Sequence, residues 1–115
     1  MKKVLVVDDE LNFTNLLRLH LADKYSIISA NSGEEALEKA AKEHPDVITL
    51  DILMPGMNGI EVLRKLKKKK QTKSIPVILL TVLEKVEAAS VFEHIRKPLD
   101  EAQLISSIER AISSS

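Results

Sequence analysis

The chain has 115 residues, and its 17 basic and 17 acidic side chains cancel to a formal net charge of zero at pH 7. This length predicts one domain over residues 1–115 with a single core. The balanced charge argues against direct nucleic-acid binding, and the lack of cysteine excludes disulfides and thiolate metal sites. The short apolar run after Met1-Lys2-Lys3 cannot form a signal peptide or membrane span, so we expect a soluble cytoplasmic protein.

Short apolar runs alternate with helical periodicity along the chain, which is typical of βαβ units. We predict strands at residues 2–7, 25–30, 46–50 and 91–95, with a further strand in the run 75–80. We predict a first helix at residues 11–22, and three later helices opened by the capping pairs Ser32 with Glu35, Asn58 with Glu61, and Asp100 with Gln103. The pattern predicts a doubly wound, flavodoxin-like parallel sheet of five strands in the order 2-1-3-4-5, with up to five helices.

Acidic residues follow two of the predicted strands. Asp8 and Asp9 end the run 4–7, and Asp51 ends the run 47–50. A parallel sheet brings such residues to one edge, where three carboxylates about 4 to 6 Å apart repel by roughly 3 to 4 kcal/mol per pair at an effective dielectric of 20. Bound Mg²⁺ relieves this repulsion and prepares the site for a phosphoryl group.

A hydroxyl and an ammonium group end the two remaining strands. Thr81 follows the run 75–80, and Lys97 follows the run 91–96 and precedes Pro98. The hydroxyl can bond a phosphoryl oxygen and the ammonium can neutralise one, while Asp51 can act as a nucleophile that forms an acyl phosphate. These residue types together predict a site for phosphoryl transfer.

Four segments in this order make the chain resemble the receiver domain of two-component response regulators over nearly its whole length. The segments are Val6-Val7-Asp8-Asp9-Glu10, Leu50-Asp51-Ile52-Leu53-Met54-Pro55-Gly56-Met57-Asn58-Gly59, Leu80-Thr81 and Arg96-Lys97-Pro98. The resemblance implies that Asp51 takes a phosphoryl group from a histidine of a partner kinase or histidine phosphotransfer protein. It also implies that Asp9, Asp51 and the Leu53 carbonyl hold Mg²⁺, with Asp8 acting largely through water.

The resemblance assigns further roles at the ends of the last two strands. It implies that Thr81 moves toward the phosphoryl group as a switch, that Lys97 pairs with that group, and that the Lys97-Pro98 bond is cis. His94 falls where the family has its second switch residue. The expected function is a signalling switch rather than an enzyme, one that catalyses its own phosphorylation and slow dephosphorylation and acts on an unknown output partner.

Each residue also has a simpler interpretation. Asp8 and Asp9 can cap the first helix, Thr81 can be an ordinary strand residue, and Lys97 an ordinary surface lysine. His94 can equally be a half-buried residue at the edge of the sheet. Asp51 can be a turn residue, and the basic run 64–70, which has no interleaved aromatic residue, is interpreted as a solvated helix end.

Two other functions compete with the switch. An aspartyl-phosphate phosphatase of the dehalogenase type needs a second aspartate two residues after Asp51, where Leu53 stands. The second alternative is a degenerate receiver that serves only as an interaction module. It is conceivable because Val82 stands where the family usually has a small residue and because the segment after Thr81 is short. Only nine residues, 82 to 90, connect the fourth and fifth strands, so we predict a short or irregular fourth helix there.

Overall fold

The structure is a computed structural model that describes residues 1–83 and 90–114. Five strands and four helices occur in these residues, in the order β1 (Lys3–Val7), α1 (Leu11–Leu21), β2 (Ser26–Ala30), α2 (Gly33–Glu43), β3 (Val47–Asp51), α3 (Gly59–Lys68), β4 (Val77–Thr81), β5 (Glu93–Arg96) and α4 (Glu101–Ser113).

The five strands form one parallel sheet in the order β2-β1-β3-β4-β5, which confirms the predicted topology. Every residue of the two central strands β3 and β4 is buried. This burial explains why their sequences are continuous apolar runs, since helices cover both faces of a parallel sheet.

Alternate side chains of each strand enter two separate cores, one on each face of the sheet, as the two-residue period of a strand requires, so the prediction of a single core is wrong. One core packs α2 and α3 against one face of the sheet and includes Leu5, Leu50 and Leu79. The other packs α1 and α4 against the opposite face and includes Val6 and Ile95. Because all five strands between these two layers are parallel, their carboxyl ends meet at one edge of the sheet.

Helix α3 has the predicted capping box, because Asn58 accepts from the Glu61 N–H and Glu61 accepts from the Asn58 N–H. The predicted pair at α2 is only half correct. Ser32 accepts from the Glu35 N–H, but the Glu35 carboxylate bonds the Asn31 N–H at 2.6 Å and its second oxygen pairs with Lys39. The Glu35 carboxylate thus bonds the N–H of the residue before the N-cap, in place of the predicted reciprocal bond to Ser32.

The prediction for the start of α4 identifies the N-cap residue correctly but pairs it with the wrong residue. Asp100 is the N-cap, but its carboxylate accepts from the Ala102 N–H at 2.9 Å, and no bond joins it to Gln103. An N-cap side chain can satisfy either the second or the third free N–H of a helix, and here it takes the nearer one.

All five strands begin or end one or two residues from their predicted boundaries, and two of these differences have a clear cause in the pairing. β3 extends to Asp51, because this residue still pairs with Leu80 in β4. β5 begins at Glu93, which lies opposite Ile78, and ends at Arg96. Most of the short fourth helix predicted for residues 82–90 lies outside the described residues. Within 1–83 and 90–114, no helix combines the length and apolar character needed to cross a membrane.

Candidate functional site

Three carboxylates lie together at the carboxyl edge of the sheet. Asp8 and Asp9 follow β1, Asp51 ends β3, and each offers an oxygen within 4.8 Å of the others. Asp8 and Asp51 are buried, whereas Asp9 is exposed. The sheet therefore assembles the predicted acidic cluster, with one carboxylate open to solvent.

Asp8 is held by hydrogen bonds to residues that lie outside α1. Its N–H donates to the Ala30 carbonyl, its carbonyl accepts from the Asn31 side chain at 3.0 Å, and its carboxylate accepts from the Glu10 N–H at 2.9 Å. The N-cap of α1 is Glu10, and no side-chain cap bond is made there. The interpretation of Asp8 and Asp9 as helix caps is therefore wrong.

Asp51 sits in an unfavourable environment for a negative charge. Only 6% of the residue is exposed, and its pKa is raised to about 6. Burial is the largest cause and the charge of Asp8 the next, with a smaller increase from Asp9, while Lys97 and a backbone hydrogen bond from Leu53 lower the pKa. Without a metal the site thus carries excess negative charge, which a divalent cation relieves.

Lys97 faces these carboxylates from the loop after β5. Its ammonium lies 2.8 Å from the nearer carboxylate oxygen of Asp8 and 3.7 Å from that of Asp51. Its N–H donates to the Thr81 carbonyl at 2.7 Å, and its bond to Pro98 is cis, as predicted. Only 14% of the side chain is exposed, so it is not an ordinary surface lysine.

Thr81 is the last residue of β4 and is fully buried. It directly follows Leu80, the residue paired with Asp51 across the sheet. Its hydroxyl oxygen accepts from the Leu83 N–H at 3.1 Å, which leaves the hydroxyl hydrogen free to be donated elsewhere. The position suits a hydroxyl that bonds a group on Asp51, and its role as a switch stays a prediction.

His94 lies in β5 opposite Leu79 and is half-buried. Its Nε2 atom is buried, and no partner for it occurs in the described part of the chain. Both the edge interpretation and the switch role stay predictions.

Gly59 shapes the site in a way the sequence analysis missed. It opens α3, and its N–H donates to the Ile52 carbonyl at 2.9 Å. A Cβ atom at this position would lie 2.2 Å from the Asp51 carbonyl oxygen and 2.8 Å from the Ile52 Cα. The turn after Asp51 can close against α3 only because residue 59 has no side chain. The signal was present, since the turn motif ends at this glycine.

Two other neighbours of the site, Asn31 and Phe13, carried no signal in the sequence. Asn31 follows β2 and its amide bonds the Asp8 carbonyl. Phe13, on α1, places its ring centroid 4.1 Å from the Lys97 ammonium. Contacts of this kind depend on how α1 and β2 pack, which a lone asparagine or phenylalanine does not reveal.

The residues present fit Mg²⁺. This hard cation prefers oxygen ligands and commonly uses one or two carboxylates together with water and phosphate oxygens. Asp8, Asp9 and Asp51 supply such oxygens, and these three carboxylates share a single nearby ammonium, that of Lys97, among the described residues. The Leu53 carbonyl stays a predicted ligand.

Comparison with known proteins gives the class. A sequence profile described as the response regulator receiver domain matches residues 4–109. Among solved structures, the response regulator TrrA of Thermotoga maritima in complex with Mg(2+)-BeF has a TM-score of 0.87 at 36% identity, covering 96% of this chain and 99% of that one. The chemotaxis protein CheY4 of Vibrio cholerae has a TM-score of 0.89 at 32% identity, covering 96% and 98%.

Curated relatives agree with the structures. Protein PilH of Pseudomonas aeruginosa is 32% identical, and the match covers 97% of this chain and 98% of PilH. The alkaline phosphatase synthesis transcriptional regulatory protein PhoP of Bacillus subtilis is 46% identical over 70% of this chain, which spans only 33% of PhoP. The chain belongs to the response regulator receiver domain family, and it is homologous to phosphoacceptor domains of two-component systems.

Proposed function

We propose that this receiver takes a phosphoryl group onto Asp51 from a phosphohistidine of a partner kinase or histidine phosphotransfer protein. The observation that carries the proposal is the position of the Asp51 carboxylate, among the Asp8 and Asp9 carboxylates and 3.7 Å from the Lys97 ammonium. One nucleophile, a set of metal ligands and a fixed cation are the groups that phosphoryl transfer to a carboxylate requires.

Asp51 acts as the nucleophile in its ionised form. A pKa of about 6 leaves most of the carboxylate ionised at neutral pH. One of its oxygens forms a bond to phosphorus as the bond between phosphorus and the histidine nitrogen breaks, and the leaving imidazole takes a proton from solvent. Phosphate remains on the protein, so the domain acts as a switch rather than as an enzyme with a released product.

The other side chains stabilise charge on the phosphoryl oxygens. Asp9, Asp51 and the Leu53 carbonyl, with Asp8 largely through water, would hold Mg²⁺, which would supply positive charge at these oxygens when bound. Lys97 neutralises a further oxygen, and Thr81 donates its hydroxyl hydrogen to another. We propose that Thr81 and His94 carry the resulting change to the surface where an output partner binds, in the cytoplasm.

A small phosphodonor with Mg²⁺, followed by intact mass spectrometry, tests the proposal. The expected result is a single stable phosphate adduct on the wild-type protein and none on Asp51→Asn. Catalytic turnover of added phosphate esters would instead indicate a dehalogenase-type phosphatase. A folded wild-type protein with no adduct would indicate a degenerate interaction module and overturn the proposal.

A further inference from the structure

We propose that Phe13 is a positioning residue for Lys97, and that its ring holds the lysine ammonium beside Asp51 without neutralising it. The inference rests on the proposed function. Its basis is the placement of the Lys97 Nζ atom 4.1 Å from the centroid of the Phe13 ring, well inside the roughly 6 Å range of a cation–π interaction.

The lysine needs such a support because its backbone and its charge are separated by a flexible chain. Its backbone is anchored by the bond to the Thr81 carbonyl, but four rotatable bonds lie between that anchor and the ammonium. The ammonium is located by two contacts on the acidic side, with Asp8 at 2.8 Å and Asp51 at 3.7 Å. The Phe13 ring adds a contact from α1, and the ammonium is thereby held among three groups.

An aromatic ring suits this position better than another carboxylate. Asp8 is both a candidate metal ligand and the carboxylate closer to Lys97. Its single negative charge therefore has to serve two cations, the metal ion and the Lys97 ammonium. A further acid would add repulsion to a cluster that already raises the pKa of Asp51. The ring attracts the ammonium through its quadrupole and leaves the full positive charge available to a phosphoryl oxygen.

The ring also limits solvent around the ammonium. Phe13 and Lys97 both line a groove of about 430 Å³ between α1 and α4, and Phe13 is half-buried against the core on that side of the sheet. The ring therefore replaces water next to the lysine on the α1 side. A charge with less water around it acts more strongly on a neighbouring phosphoryl oxygen.

The chain offers a matched control for ordinary packing. Phe92 packs against the same core as Phe13, and its ring lies 6.0 Å from the Arg110 guanidinium. It precedes β5, whereas Lys97 follows the same strand, so the two aromatic residues lie near opposite ends of β5. Phe92→Leu removes the same ring atoms as Phe13→Leu, but far from the acidic cluster.

The kinetic test compares Phe13→Leu, Phe13→Tyr and Phe92→Leu by their phosphorylation rates with phosphoramidate and their affinities for beryllofluoride in Mg²⁺. Phe13→Leu is expected to lower both by about threefold to thirtyfold, which corresponds to about 0.7 to 2 kcal/mol for a cation–π contact. Phe13→Tyr keeps the ring and should retain wild-type values, as should Phe92→Leu. Mg²⁺ affinity measured without beryllofluoride should stay within about twofold of wild type, because Lys97 is not a metal ligand.

A double-mutant cycle with Lys97→Met separates positioning from packing. In the Lys97→Met background, Phe13→Leu should cause no further loss of beryllofluoride affinity. Equal losses of beryllofluoride affinity in both backgrounds would overturn the positioning role but not the proposed function. Equal phosphorylation rates of Phe13→Leu and Phe92→Leu would do the same. A wild-type protein that takes up no phosphate would overturn the proposed function and the positioning role with it.

The contact itself can be observed without any phosphate. Protons on the Lys97 Cε should have NMR resonances shifted upfield by the ring current of Phe13, in the wild type and in Phe13→Tyr but not in Phe13→Leu. Unshifted resonances in the folded wild type would contradict the contact. The wild-type spectrum alone decides this point, so the result does not depend on the folding of any variant.

Discussion

Asp51 is a carboxylate whose surroundings oppose its ionisation, and this has a consequence for stability. Its pKa is about 6 in the folded protein, against an ordinary value of 3.8. Between these two pH values the folded state binds more protons at Asp51 than the unfolded state does. The free energy of unfolding therefore falls as pH rises from about 4 through 6. Asp51 therefore costs the fold stability at neutral pH, in the absence of metal.

The first prediction is that Asp51→Asn stabilises the metal-free protein at neutral pH. The gain should be near zero at pH 4 and rise to about 1 to 3 kcal/mol at pH 7.5, the upper end following from a shift of about 2 pKa units. Urea unfolding in EDTA at several pH values measures it. Asp23→Asn, which changes an exposed aspartate, is the control and should give no such rise. A pH-independent difference for Asp51→Asn would contradict the assignment.

The second prediction concerns how long a phosphate remains on Asp51. The Leu53 and Leu83 side chains are exposed, by 50% and 38%, and offer no polar group to orient an attacking water. Because positioning contributes strongly to such reactions, the double variant Leu53→Asn, Leu83→Glu should lose phosphate faster than the wild type. Phosphate release in Mg²⁺ buffer measures the rate. Equal rates would show that these leucines do not control the lifetime.

At the scale of elements, the contact between the end of β3 and the start of α3 decides where Asp51 lies. The third prediction is that Gly59→Ala lowers stability by about 1 to 3 kcal/mol or more, because its Cβ meets the Asp51 backbone at 2.2 Å. Phosphorylation should fall by roughly a hundredfold, the effect expected of a displacement of about 1 Å. Unfolding in urea and the rate with phosphoramidate measure the two effects.

Gly33→Ala is the matched control for this prediction. A Cβ at Gly33 meets side-chain atoms of Met57 and Val62 at 2.9 Å, so this variant also forces a shift, but against side chains rather than against the Asp51 backbone. This variant should lose some stability but keep the wild-type rate of phosphorylation. If Gly33→Ala and Gly59→Ala slow phosphorylation equally, the contact at Gly59 has no special role in placing Asp51.

The elements also show which structural features the sequence determines. The alternation of apolar runs with helical periods predicted a parallel sheet, for which 2-1-3-4-5 was the natural strand order. The capping pair of Asn58 with Glu61 was correct because both partners belong to one helical turn. Glu35 departed from its predicted bond because Lys39 and the Asn31 N–H compete for its carboxylate. Local patterns thus predict elements well, whereas the partner of a side chain depends on which other groups come within reach.

At the scale of the whole molecule, the parallel sheet collects residues that are distant in sequence. Asp8, Asp51, Thr81 and Lys97 follow or end four different strands, and the order of the sheet makes these strands neighbours. Their meeting could be predicted because the carboxyl ends of parallel strands lie at one edge. The contact of Phe13 with Lys97 could not, because it depends on the packing of α1 against the sheet.

The fourth prediction is that Mg²⁺ stabilises the whole fold by relieving repulsion in the acidic cluster. At ten to a hundred times its Kd the gain should be about 1.4 to 2.7 kcal/mol. Asp8→Asn and Asp9→Asn should raise stability without metal and weaken Mg²⁺ binding. Thermal melts across a Mg²⁺ titration, with Ca²⁺-free buffers, measure both effects. A wild-type melting temperature that does not respond to Mg²⁺ would count against the metal site.

The central claim is that the Asp51 carboxylate receives the phosphoryl group. Borohydride reduces an acyl phosphate to the alcohol, so it converts a phosphorylated aspartate to homoserine and marks the position permanently. After treatment with phosphoramidate and Mg²⁺, reduction and peptide mass spectrometry should find homoserine at position 51, with Asp8 and Asp9 unchanged. Homoserine at another aspartate, or none in a folded protein, would contradict the account.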